Sequence, residues 1–222
     1  MSRERFEADF AAAPIVAVLR GITPAEAEGV GAALIEAGIR VVEVPLGSPD
    51  ALRTIERLAI KFGAQATIGG GTVLSLAEID RLADIGAGLV VAPNCDPAVV
   101  RRAGTRGMAA IPGVLTPTEA LAALDAGATA LKLFPAEMVP AAAYRLLLTV
   151  LPAGARLLPF SSVTAATIPG WLVAGAPGFG IGSALYRPGR ALADIAAAAR
   201  EIVGLMRDAR SALQPSPPRR TQ

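Results

Sequence analysis

Only two lysines, Lys61 and Lys132, stand against nineteen arginines in this 222-residue chain. Lys132 lies in an apolar run, Ala128-Thr129-Ala130-Leu131-Lys132-Leu133-Phe134-Pro135. A guanidinium stays protonated in a protein, whereas a desolvated lysine can lose its proton and attack a carbonyl carbon. Lys132 is therefore the first candidate for chemistry. The bland alternative is a strand-end lysine whose head reaches water or a carboxylate. The chain has no histidine and a single cysteine, Cys95. Histidine triads and histidine metal sites are thereby excluded, so a general base must be Asp, Glu, Lys, Tyr, Cys or water. Cys95 reads as a packing residue, since no histidine can activate it. No metal and no cofactor are expected.

Two further ionisable residues belong with Lys132 once the elements that carry them are placed. Short apolar runs at 15–19, 40–44, 66–69, 89–92, 108–111, 130–134, 156–160 and 178–181 read as strands. They alternate with stretches rich in Ala, Leu, Glu and Arg that read as helices. Helix starts are signalled by Thr23-Pro24, Ser48-Pro49 and Thr116-Pro117, and stops by Gly38, Gly86, Gly127 and Gly175, each just before a strand. Eight strands alternating with about eight helices predict a parallel sheet, and its closure predicts an α/β (β/α)8 TIM barrel. An open doubly wound sheet is disfavoured because the first strand-helix turn, Leu19-Arg20-Gly21-Ile22-Thr23, lacks a dinucleotide-binding glycine pattern. Residues 2–12 read as an extra N-terminal helix. One domain is expected over 1–213, with a disordered tail at 214–222.

Period-two alternation then sorts the strand residues by face. Ala130, Lys132 and Phe134 share the barrel-facing side, with Leu131 and Leu133 toward the helices. Glu43 points inward because Val42 and Val44 point outward. Arg20 continues the face of Val16 and Val18. Glu43, Lys132 and Arg20 thus gather at the C-terminal end of the strands, where barrels of this kind build active sites. The alternative is a buried charge network that only sets packing. Two Gly-rich segments add a phosphate hint: Ile68-Gly69-Gly70-Gly71-Thr72 after the third strand, and Gly180-Ile181-Gly182-Ser183 at the end of the eighth, where backbone amides can form an anion site. The second segment's alternative is a tight turn.

Composition bounds the rest. The chain is 53% hydrophobic and 18% charged, with a net charge of +2. It can bury a large core, while its scattered basic residues form no nucleic-acid stripe. The apolar run at 11–19 follows Glu4, Glu7 and Asp9 and precedes Arg20-Gly21, which argues against a signal peptide. No window is apolar enough to span a membrane. A lone cysteine suits a reducing, cytoplasmic setting.

Five ordered motifs resemble one family: Val18-Leu19-Arg20-Gly21-Ile22-Thr23-Pro24, Val42-Glu43-Val44-Pro45-Leu46-Gly47-Ser48-Pro49, Ile68-Gly69-Gly70-Gly71-Thr72-Val73-Leu74, Val91-Ala92-Pro93-Asn94 and Ala130-Leu131-Lys132-Leu133-Phe134-Pro135. They resemble the 2-keto-3-deoxy-6-phosphogluconate and 6-phosphogalactonate aldolases over roughly residues 14–205. The resemblance implies a metal-free class I aldolase, usually a homotrimer, acting on a phosphorylated sugar acid. It implies that Lys132 forms a Schiff base with the pyruvyl carbonyl and that Glu43 moves protons. Thr72 and Pro93 would line the pyruvyl pocket, Phe134 would pack beside the imine, and Arg20 would contact the substrate. The context of Arg20, Gly47 and the apolar Phe160 favour the galactonate branch. The family usually carries Gly-Gly after the seventh strand to wrap a phosphate, and this chain has Ser161-Ser162. Serine resists the positive φ that glycine adopts freely, so a reshaped phosphate site is expected, the alternative being a closed one in an aldolase for an unphosphorylated sugar acid. Hydroxyls of Ser161 or Ser162 would then donate beside the amides of Gly182 and Ser183.

Overall fold

The computed structural model describes residues 2–213; the tail expected at 214–222 lies outside them. Helix α1 (Ser2–Ala12) leads into β1 (Ile15–Val18), α2 (Ala27–Glu36), β2 (Val41–Pro45), α3 (Ala51–Phe62), β3 (Thr67–Gly71), α4 (Leu76–Asp84), β4 (Leu89–Val91), α5 (Pro97–Thr105), β5 (Ala109–Ile111) and β6 (Gly113–Val114). The chain continues through α6 (Pro117–Asp125), β7 (Leu131–Leu133), a 3-10 turn at Ala136–Met138, α7 (Ala141–Val150), β8 (Leu157–Pro159), α8 (Ile168–Val173), β9 (Phe179–Ile181) and α9 (Leu192–Leu213).

The strands form a curled parallel sheet. One ladder runs β5-β4-β3-β2-β1-β9 and a second runs β6-β7-β8. A bridge between Phe160 and Gly180 joins β8 to β9. The predicted strand at 108–111 appears as β5, and past Pro112 a further short strand, β6, follows; there the Thr129 and Lys132 amides donate to the Ala110 and Pro112 carbonyls. Proline has no N–H to give a ladder, which accounts for the break between β5 and β6.

Side-chain alternation divides the core in two. Ile15, Ala17, Leu19, Val42, Val44, Leu131 and Leu133 pack against the helices. Val16, Val18, Val41, Ala130, Leu158 and Phe160 form a second cluster inside the curl. Phe6 and Phe10 of α1 stack on each other and join that inner cluster. Asp9, next to Phe10, accepts from Thr67 Oγ1 at the start of β3 and from Arg5 Nε, both at 2.8 Å. The leading helix is thereby tied to the N-terminal ends of the strands, leaving the opposite ends open.

Helix boundaries follow local chemistry. Thr116 and Glu119 form a reciprocal capping box at α6, and Ser75 and Glu78 do the same at α4. Helix α3 buries Ala51, Thr54, Ile55, Leu58 and Phe62, a stripe at helical spacing. The expected stops Gly38, Gly86, Gly127 and Gly175 all have positive φ. Helix α2 starts later than Thr23-Pro24 suggested. The Glu26 carboxylate accepts from both the backbone and hydroxyl of Thr23, at 3.2 and 2.7 Å, which holds a turn ahead of the helix. Among the described residues no helix is long and apolar enough to cross a membrane.

Candidate active site

The open end of the curl holds a cleft of about 650 Å³. Lys132 lies at its floor, and Phe134, Phe160, Arg20, Ser161, Ser162, Gly182 and Ser183 contribute to its walls. Strand β7 aims Lys132 inward, because Leu131 and Leu133 on either side are drawn into the outer core. The Lys132 Nζ sits 4.6 Å from the ring centre of Phe134 and 4.8 Å from that of Phe160. The lysine is only 7% exposed. Burial lowers its pKa; Glu43 pulls it back up, and Arg20 pushes it further down. A lysine so placed has a larger neutral, nucleophilic fraction than one in water.

Glu43 is 2% exposed, in the middle of β2. Burial raises its carboxyl from 4.5 to about 7, against the opposing pull of Lys132 and Arg20. Among the described residues its Oε2 has no hydrogen-bond partner. A buried carboxyl poised near neutrality can both give and take a proton at physiological pH. Gly71 makes room for it: a Cβ at that position would overlap the Glu43 carboxylate.

This observation corrects the phosphate hint of the first Gly-rich segment. Gly69, Gly70 and Gly71 lie within β3. The space a Cβ would need is taken by the Leu89 backbone at Gly69, by Leu82 at Gly70 and by Glu43 at Gly71. These glycines serve close packing around the carboxyl and do not form an anion cradle. In the second segment, Gly180 gives up its Cβ space to the Phe160 ring, whereas a Cβ on Gly182 would meet only Val18 at ordinary contact distance.

The Ser161-Ser162 expectation is also corrected. Both serines take positive φ, at 79° and 53°, so the chain keeps a glycine-like backbone where a reshaped one was expected. Ser161 Oγ donates to Glu137 Oε1 at 3.0 Å, which directs that hydroxyl away from a ligand. Thr167 Oγ1 braces the far side of the loop, accepting from the Thr164 amide at 2.9 Å. Among the described residues, the amides of Ser162 and Val163, and across the cleft those of Ser183 and Ala184, donate to no protein acceptor.

Thr72 and Pro93 follow the ends of β3 and β4 but do not line the cleft; Thr72 has a positive φ of 58°. Cys95 packs against the outer core, and burial raises its thiol pKa. Sequence reasoning missed Tyr186 and Arg187, which line the cleft beyond Ser183. The Tyr186 hydroxyl donates to Glu26 Oε1 at 3.2 Å. The readable signal was Arg187 one turn after the Gly180-Ile181-Gly182-Ser183 segment. Among the described residues neither Arg20 nor Arg187 makes an ion pair. The cleft therefore offers two guanidinium groups without an ion pair, aromatic walls, two sets of unused amides and Lys132, whose basicity and that of the buried Glu43 perturb each other.

Comparison with known proteins agrees with this arrangement. The chain is 46% identical over 182 residues to a probable 2-dehydro-3-deoxy-6-phosphogalactonate aldolase of Rhizobium meliloti (strain 1021), covering 82% of this chain and 86% of that protein. It is 41% identical over 196 residues to the 2-dehydro-3-deoxy-6-phosphogalactonate aldolase of Escherichia coli (strain K12), covering 88% and 96%. A solved structure described as native KDPGal superposes with a TM-score of 0.87 at 41% identity, over 89% of this chain and 96% of that one. The family described as KDPG and KHG aldolase matches residues 6–196. The chain belongs to that family and is an aldolase, a carbon-carbon lyase.

Proposed function

We propose that this enzyme is a class I aldolase cleaving 2-keto-3-deoxy-6-phosphogalactonate to pyruvate and D-glyceraldehyde 3-phosphate. The observation that carries the reading is the pairing of Lys132 with Glu43 beneath a cleft that presents two unpaired guanidinium groups. The Lys132 amine adds to the C2 ketone and loses water, forming a protonated imine. Glu43 takes the C4 hydroxyl proton, directly or through a water. The C3–C4 bond breaks, its electron pair passes into the imine as an enamine, and the aldehyde leaves. Protonation of C3 and hydrolysis of the imine release pyruvate.

In this reading the remaining residues divide by charge. Arg20 holds the carboxylate and Phe134 and Phe160 flank the imine, with Thr72 and Pro93 backing the pyruvyl side from outside the open cleft, as Glu43 does. The amides of Ser162, Val163, Ser183 and Ala184, the turn at Gly182, and Arg187 take the phosphate; Ser162 can add its hydroxyl. A substrate with an anion at each end suits two guanidinium groups better than a sugar acid with one. Bonds to a charged acceptor are worth roughly 1.5–3 kcal/mol each. The phosphorylated substrate should therefore lead by tenfold or more in kcat/KM.

We infer also that the sheet closes as one (β/α)8 barrel with α1 across its base; the Phe160–Gly180 bridge and the Thr129 and Lys132 amide bonds support closure. A cytoplasmic homotrimer fits this reading. Exposed Leu146 and Val150 lie one turn apart on α7, and Val173 is joined to that helix through Arg145, which supplies an apolar face for a second copy.

Borohydride reduction in the presence of pyruvate tests the chemistry: a pyruvyl-derived mass should appear at Lys132 and not at Lys61. No adduct, or one at Lys61 alone, sinks the mechanism. Comparing kcat/KM for 2-keto-3-deoxygalactonate with and without its 6-phosphate tests the substrate class, and equal values exclude the phosphate role.

A further inference from the structure

The loop that opens the phosphate side of the cleft is held in a conformation its residues disfavour. Ser161 and Ser162 sit side by side at φ 79° and 53°. For an L-residue, left-handed backbone is disfavoured by roughly tenfold at each position relative to the right-handed region. Something must keep Ser161 there, and one side-chain contact does so directly. Glu137, in the short 3-10 turn after β7, accepts the Ser161 hydroxyl at 3.0 Å. Behind it, the Ala136 amide donates to the Phe160 carbonyl at 3.0 Å, so the turn is fastened to the residue just before the loop. The two bonds together grip the chain on both sides of the Phe160–Ser161 peptide.

Glu137 does not line the cleft, whereas Ser161 does. The carboxylate therefore contacts a ligand only by way of the loop. It also carries a negative charge into the neighbourhood of a site that has to accept an anion, a cost that a purely electrostatic design would avoid. Holding the loop is the role that offsets that cost.

We propose that Glu137 is a positioning residue of the anion pocket: by tethering Ser161 it lets a serine stand where a glycine backbone is needed and keeps the Ser162 and Val163 amides turned into the cleft. The proposal deepens the reading above and rests on it for the ligand class, a phosphate monoester. The pair acts as a unit. Serine requires the carboxylate, and a glycine at the same position does not.

The test is a mutant cycle on the full chain with inorganic phosphate as the probe, titrated by calorimetry. Glu137→Ala should weaken phosphate binding threefold or more, and Glu137→Gln should retain most of it, since an amide oxygen still accepts the hydroxyl. Ser161→Gly should bind phosphate at least as well as the unmodified protein. The double variant Glu137→Ala/Ser161→Gly should match Ser161→Gly to within twofold, a rescue that general destabilisation would not give. Unchanged or tighter binding in Glu137→Ala would mean that the carboxylate merely repels the anion, and it overturns the proposal. So does a loss that Ser161→Gly fails to rescue, or an unmodified protein that binds no phosphate. Pyruvate trapping at Lys132 is scored separately. Trapping without the cycle's pattern removes the tether and keeps the aldolase reading; the pattern without trapping does the reverse.

Discussion

Replacing Glu43 by Gln should change how stability depends on pH, with a sign and size that follow from its burial. The Glu43 carboxyl rises from 4.5 to about 7 in the folded protein, chiefly through desolvation. Its folded state therefore binds a proton more tightly than its unfolded state does. Folding is most favoured below pH 4.5, where both states are protonated. The advantage is lost as pH climbs through about 7, above which the fold holds an uncomfortable charge. Each pH unit of difference is worth about 1.4 kcal/mol, so the whole effect is on the order of 3 kcal/mol. Urea unfolding at pH 5 and pH 8.5 measures it. The unmodified protein should lose stability across that window through this group, and Glu43→Gln should lose about 3 kcal/mol less. Lys132 is present in both proteins but feels the Glu43 charge, so the difference between the two curves reports the carboxyl together with its coupling to the lysine. Turnover should move the opposite way. The unmodified enzyme should lose kcat on the acid side with a midpoint near 7, while Glu43→Gln is flat there and slower by ~10²-fold or more. Parallel stability curves for the two proteins would refute the argument, whatever the activities do.

Four further substitutions probe the cleft and its support. Arg187→Gln should lower kcat/KM for the phosphorylated acid by tenfold or more and leave the unphosphorylated acid within about twofold. Arg20→Lys should raise KM for both, because an ammonium cannot reproduce a forked contact; steady-state kinetics with the two acids decides. Gly71→Ala should cost roughly 1–3 kcal/mol of stability, since its Cβ overlaps the Glu43 carboxylate. Gly182→Ala, which meets only Val18 at ordinary distance, should cost less than about 1 kcal/mol by the same unfolding measurement.

Lys132 and Glu43 were legible in the sequence because strand alternation is a strong signal. Leu131 and Leu133, or Val42 and Val44, commit one face to the helices, and the residue between has nowhere to point but inward. Phe160 came from the family resemblance and not from alternation. The loops were not. Whether Ser161 and Ser162 would follow a glycine's path depends on Glu137, twenty-four residues earlier, and no local propensity carries that contact. The run Gly69-Gly70-Gly71 looks like an anion loop in composition. Only the approach of Leu89, Leu82 and Glu43 reveals it as packing. Arg187 lay in a stretch without periodicity, and its place on the cleft depends on how β9 hands the chain on to α9.

The distribution of strain argues for function more firmly than any single residue does. The expected helix stops that need positive φ spend glycine on it, as at Gly38, Gly86, Gly127 and Gly175. Among the described residues four non-glycines also take positive φ, and three of them, Thr72, Ser161 and Ser162, follow the C-terminal ends of β3 and β8. The same end of the sheet holds the partnerless Oε2 of Glu43 and the buried ammonium of Lys132. At the opposite end Asp9, a comparably buried carboxylate, is bonded to Thr67 and Arg5. A fold that satisfies its buried charge at one end and leaves it unsatisfied at the other is not simply failing to pack. Strained backbone and unpaired polar groups persist where a ligand gains from them. A buried charge network serving packing alone would have closed the Glu43 hydrogen bonds as Asp9 closes its own.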